Sequence, residues 1–161
     1  MNKLDEAKEL AALRIQIDEI DQKIQTLINQ RASCAQRVAD VKQLAANGED
    51  VQYYRPEREA QVLRAVMERN AGPLPAEDMA KLFREIMSCC LALEKPMKVA
   101  FLGPEGTYTH AAALKHFGHF VQAQPMAAID EVFREVESGQ ANYGVVPVEN
   151  STEGMVNHTL D

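Results

Sequence analysis

Apolar residues recur every three and four positions from Leu10 to Ala45, and this repeat constrains the fold more than any other feature. Written as heptads, one seam is Leu10, Ile17, Ile24, Arg31, Val38 and Ala45. The other is Leu13, Ile20, Leu27, Cys34 and Val41. Such a repeat specifies one long amphipathic helix. It is predicted to end near Asn47-Gly48, a helix-stopping pair. About 40 residues at a rise of 1.5 Å each make a rod of about 60 Å. A domain of ordinary size is narrower than that. The helix therefore needs a partner, most simply a second copy of itself.

Two shorter helices follow. One is predicted from Pro56, a good first-turn residue, with Glu57 and Glu59 behind it, through Val62, Leu63 and Val66 to a stop at Gly72-Pro73. The next runs from Pro75-Ala76-Glu77-Asp78 to Lys95-Pro96, with Met79, Leu82, Phe83, Ile86, Cys90 and Leu93 facing inward. The pattern then changes. Residues 1–95 contain 14 Lys and Arg against 16 Asp and Glu, with two glycines; residues 96–161 contain 3 against 8, with six glycines. Strands are predicted at 98–102, 119–123 and 143–148, and helices at 107–117 and 127–137. The order βαβαβ implies a parallel sheet with right-handed crossovers. The expected organisation is an all-helical domain over residues 1–95 and a partial α/β lobe over 96–161.

Composition excludes several classes. The net charge of −7 disfavours nucleic acid as a partner. No run of about 18 apolar residues is present, so no membrane partner is expected. The charged residues after Met1 do not read as a signal peptide. Three cysteines, two of them adjacent, make no disulfide framework, and the expected compartment is the cytoplasm. No zinc site is expected, because no Cys-x-x-Cys occurs and the four histidines lie far from every cysteine in sequence.

Charge placement is the informative feature of the first domain. Arg31 interrupts an apolar seam. Lys42, eleven residues on, returns to within about 20° of the same face. Arg55, Arg58 and Glu59 sit at the start of the second helix. Glu94 follows Ile86 and Cys90 at four-residue steps, so it projects inward, where a carboxyl group pairs with a cation or keeps its proton. Arg14 lies 17 residues before Arg31, about 25 Å along the axis and about 100° around it. One small ligand cannot touch both on one straight helix. An antiparallel partner helix could bring its own Arg14 to the site.

These residues carry a family resemblance. Leu13-Arg14, Arg31, Lys42, the run Arg55-Pro56-Glu57-Arg58-Glu59 and the ending Cys90-Leu91-Ala92-Leu93-Glu94 resemble the all-helical chorismate mutases. Residues Phe101-Leu102-Gly103-Pro104-Glu105-Gly106-Thr107-Tyr108 and the run from Gly144 through Val148-Glu149-Asn150-Ser151 to Gly154 resemble prephenate dehydratase. Together and in this order they resemble the bifunctional chorismate mutase/prephenate dehydratases of phenylalanine synthesis.

The resemblance implies an intertwined helical homodimer with two sites, each completed by Arg14 of the other subunit. It implies chorismate as substrate and prephenate as product. Arg14 and Arg31 would hold the two carboxylates through planar guanidinium forks. Lys42 would reach a carboxylate and the ether oxygen, Arg58 would lie beside the pocket, and Glu59 would accept the ring hydroxyl. The rearrangement implied is unimolecular and needs no nucleophile, metal or cofactor. It needs a substrate held in a reactive shape and donors at the ether oxygen, where negative charge grows. Lys42 is one donor; Glu94, when protonated, is the other. Arg55, Cys90 and Glu94 stand where an enterobacterial branch has Asp, Ser and Gln, and Arg55 and Cys90 are carried as candidate substrate contacts.

In the second segment the resemblance puts Thr107, Glu149, Asn150 and Ser151 on the dehydratase side. The family's later Thr-Arg-Phe motif is absent, so neither dehydratase activity nor feedback inhibition is expected from this chain. Two other readings remain. One is an isochorismate pyruvate lyase on the same helical fold; the other is a non-catalytic dimerisation module.

Overall fold

The computed structural model describes residues 1–150 and 154–155. Helix α1 spans Lys3–Ala46, 44 residues. The Asn2 side chain caps its first turn by accepting from the Asp5 N–H at 2.8 Å. Its end is set by Asn47 in the left-handed conformation, as the Asn-Gly pair predicts. Helix α2 spans Pro56–Arg69 and α3 spans Ala76–Glu94. Helix α3 packs against both α1 and α2.

The seam of α1 is largely uncovered within one chain. Among its residues only Ala39 is buried, while Ile17, Ile20, Ile24 and Leu27 are about half exposed. Two residues expected to face inward on α3 are also open: Leu82 is 52% exposed and Leu93 is 56% exposed. Eleven residues apart, they share a face that α1 and α2 do not cover. The covered residues of α3 include Ser88 and Cys90.

The second segment is a three-stranded parallel sheet of order β2-β1-β3, with β1 at Lys98–Leu102, β2 at Gln122–Met126 and β3 at Tyr143–Val145. Helices α4, Tyr108–Phe117, and α5, Ile129–Glu137, make the crossovers. A short antiparallel pair follows, β4 at Glu149–Asn150 and β5 at Gly154–Met155. Alternation along β1 separates two clusters. Val99 joins Tyr54, Met97, Ala113 and Phe117, whereas Ala100 joins Val132 and Ala141. The second cluster needs Gly144, because a Cβ there would lie 2.8 Å from Val132 Cγ1.

Several boundaries differ from expectation; the helix expected from 127 begins at Ile129, that expected from 107 begins at Tyr108, and the strand expected to end at 123 ends at Met126. The strand expected at 119–123 begins at Gln122 instead. The His119 N–H donates to the Glu85 carboxylate and the Phe120 N–H to Ser88 Oγ, so α3 holds both residues off the ladder. The third strand stops at Val145, two residues before Pro147, which has no N–H for a ladder. Helix α2 stops at Arg69, where Asn70 turns to extended backbone, ahead of Gly72.

The helical part and the sheet share a core. Tyr54, in the connection between α1 and α2, is 8% exposed and packs its ring 5.7 Å from Phe117 and 5.3 Å from Tyr143. A loop residue of the first segment is thus buried in the core of the second.

Candidate active site

A cavity of about 390 Å³ opens where α1, α2 and α3 meet. Arg31, Cys34, Ala35, Val38 and Lys42 line it from α1. Arg58, Glu59 and Val62 come from α2, with Arg55 just ahead. Met87, Cys90, Leu91 and Glu94 come from α3, and Tyr53 and Tyr54 close one side. The volume suits a small organic ligand. Seven of the eight residues expected in one site therefore meet: Arg31, Lys42, Arg55, Arg58, Glu59, Cys90 and Glu94. Arg14 does not line the cavity and is exposed on α1. A neighbouring hollow of about 330 Å³ shares Tyr53, Tyr54 and Leu91 but has no arginine.

Helical periodicity explains the assembly. Arg31, Val38 and Lys42 return to one face of α1, and Met87, Cys90 and Glu94 to one face of α3. Lys42 Nζ is turned toward the connecting loop, donating to the carbonyls of Gln52 at 3.3 Å and Tyr53 at 3.4 Å. Arg55 pairs with Glu57 at 2.8 Å, and Arg58 donates to Gln61 Oε1 at 2.9 Å. Both arginines are exposed, so an entering anion would exchange these contacts rather than release buried ones. Cys90 is 2% exposed, a covered thiol at the cavity wall.

The two acids differ. Burial raises the Glu94 pKa above the usual carboxylate value, and the charges of Lys42 and Arg31 hold the rise back. Its protonated form is therefore favoured relative to a solvated carboxyl. Burial also raises Glu59, opposed by Arg84, whose Nη1 lies 2.7 Å from Glu59 Oε1. The carboxylate expected to receive a substrate hydroxyl already holds an ion pair. Burial and the Glu59 charge push the Tyr54 hydroxyl up to about 12, so it stays neutral.

Sequence reasoning missed Tyr53, Tyr54, Ala35, Val62, Met87 and Arg84. Val62 is one turn beyond Arg58, and Met87 and Arg84 continue the inward steps back from Glu94 and Cys90, so helical spacing could have found these three. Tyr53 and Tyr54 lie in a connection with no period to read.

On the sheet side, Thr107 caps α4. Its Oγ1 accepts from the His110 N–H at 3.4 Å and donates to the Leu102 carbonyl at 3.3 Å, and Thr109 Oγ1 donates to that same carbonyl. Glu149 and Asn150 form β4, and Ser151 lies outside the described residues.

Both segments of the chain match known protein families. Residues 13–95 match the family model of chorismate mutase type II, and residues 99–161 match that of prephenate dehydratase. The chain is 64% identical over 159 residues to the bifunctional chorismate mutase/prephenate dehydratase of Stutzerimonas stutzeri, covering 98% of this chain and 44% of that one. It is 66% identical over 154 residues to the protein of the same name from Pseudomonas aeruginosa, covering 95% of this chain and 42% of that one. The chain thus spans less than half the length of these relatives. A solved chorismate mutase from Thermus thermophilus superposes with a TM-score of 0.50 at 30% identity, over 54% of this chain and 94% of that one. With the mutase model matched over more than half of its length, the chain belongs to the type II chorismate mutase family.

Proposed function

We propose that the chain converts chorismate to prephenate in the cavity between α1, α2 and α3. The observation that carries this reading is the convergence of Arg31, Lys42, Arg55 and Arg58 on one small cavity with Glu94, whose protonated form burial favours. Chorismate is a dianion, and guanidinium forks suit its carboxylates. Lys42 and protonated Glu94 supply donors for the ether oxygen as its C–O bond breaks. The cavity walls hold the two arms of the substrate together, which is the other requirement of a unimolecular rearrangement. Glu59 accepts the ring hydroxyl, Cys90 contacts the ring, and Arg55 and Arg58 guide the anion in.

The working unit in this reading is a homodimer in the cytoplasm, with Arg14 of each chain completing the site of the other. The half-exposed seam of α1 and the position of Arg14 outside its own cavity support it. The mutase domain is residues 1–95. Residues 96–161 form part of a dehydratase lobe, with Thr107, Glu149, Asn150 and Ser151 on its substrate side, and no turnover of prephenate is expected from this chain. The two family-model spans support this division.

Product analysis tests the reaction. The purified chain is incubated separately with chorismate and with isochorismate. Prephenate from the first and no pyruvate from the second is the expected result. Pyruvate from isochorismate without prephenate from chorismate would favour the lyase reading, and unchanged substrates would favour the dimerisation module.

A further inference from the structure

We propose that Arg84 is a positioning residue that holds Glu59 in its substrate-binding pose and ties that carboxylate to the end of α4 in the second segment. The proposal rests on the mutase reading and adds a residue to it.

Arg84 does not line the cavity, so it can reach the substrate only through Glu59. Its Nη1 lies 2.7 Å from Glu59 Oε1 and also donates to the backbone carbonyl of His116, in the last turn of α4. The Arg84 side chain is 27% exposed and that of Glu59 17%, so both ends of the pair are largely shielded. Shielding strengthens the attraction and makes an unpaired carboxylate costly. The last turn of a helix presents carbonyls and the negative end of its dipole, a second favourable partner for the guanidinium. One arginine thus joins a cavity acid on α2, its own helix α3 and α4. Both contacts run through Nη1, whose two N–H bonds serve the two acceptors.

The surrounding groups show why this residue matters. Arg31 and Lys42 of α1, Arg55 and Arg58 at the start of α2, Glu94 of α3 and Tyr54 of the loop share the cavity with Glu59. His116 of α4 lies behind, with its Nε2 3.5 Å from the Tyr54 hydroxyl. Among the described residues, Arg84 is the side chain in hydrogen-bonded contact with the Glu59 carboxylate. Burial works against ionised Glu59, and Arg84 opposes that effect. Losing Arg84 would let the carboxylate turn or take up a proton, and either removes a good acceptor for the substrate hydroxyl.

The test measures kcat and KM for chorismate across pH in the full chain. The variants are Arg84→Gln, Arg84→Lys, Glu59→Gln and the Arg84→Gln/Glu59→Gln pair. With an active wild type, Arg84→Gln and Glu59→Gln should each raise KM by about tenfold, with kcat falling less. The double variant should be no worse than Glu59→Gln alone, because Arg84 acts through Glu59. Arg84→Lys should recover part of the loss, and it carries the KM test if Arg84→Gln does not fold. In Arg84→Gln the loss of affinity on acidification should begin at higher pH than in wild type. An unchanged KM in the Arg84 variants, or losses that multiply in the double variant, would overturn this proposal alone. A wild-type chain inactive on chorismate would overturn the mutase reading and this proposal with it.

Discussion

In the proposed mutase reaction, Glu94 is the side chain that would make turnover depend on pH. Burial lifts its pKa from the usual carboxylate value, and Lys42 and Arg31 limit the rise. The donor form is protonated, so it is present below the raised pKa and lost as pH rises through it. Mutase turnover should fall over that range. Glu94→Gln keeps an N–H donor at every pH and should remove the fall, as a pH–rate series would show. An unaltered fall in that variant would refute the donor role. The inward projection of Glu94 was legible from its four-residue steps after Ile86 and Cys90, and the alignment of Arg31 with Lys42 from their spacing of eleven. Both follow from the helical period. The pairing of Arg84 with Glu59 was not legible, because it depends on how three separate helices meet.

Among the elements, the junction between α3 and α4 is the most sharply defined. Gly118 ends α4 at φ 81°, ψ 176°, a region essentially confined to glycine. A Cβ there would lie 2.4 Å from Ser88 Cβ and 2.6 Å from Ser88 Oγ. Gly118→Ala combines backbone strain with a clash against a buried serine and should cost about 2–4 kcal/mol. Thermal unfolding should show a Tm lower by several degrees. An unchanged Tm would contradict the close approach of α4 to α3. This junction also explains the misplaced strand. Residues 119–123 look extended in sequence, but a strand requires free backbone donors, and Glu85 and Ser88 take those of His119 and Phe120. Two helix limits were easier to read, because Asn47-Gly48 and Pro56 act locally on the backbone. The openness of Leu82 and Leu93 was hidden, since helical spacing shows which residues share a face but not whether that face is covered.

For the whole molecule, the net charge of −7 says little about the ligand, because cations gather where the cavity opens. The long helix α1 has more apolar surface than one chain covers, and a second copy would cover it and deliver Arg14. Mixing Arg14→Ala chains with Arg58→Ala chains tests that shared site, because a mixed dimer has one intact site. With random exchange, half the dimers are mixed, so activity should recover to about a quarter of wild type. No recovery, with subunit exchange shown independently, would place the whole site within one chain. The parallel βαβαβ order was legible from its alternating elements. The insertion of Tyr54 into the sheet's core was not, since nothing local marks a loop tyrosine for burial in a distant segment. The most direct test of the central claim is the rate of prephenate formation from chorismate by the purified chain, wild type beside Lys42→Ala. The account predicts measurable wild-type turnover and a fall in kcat of about 10²–10³-fold on losing this donor; equal rates in the two proteins, or no prephenate from wild type, would contradict it.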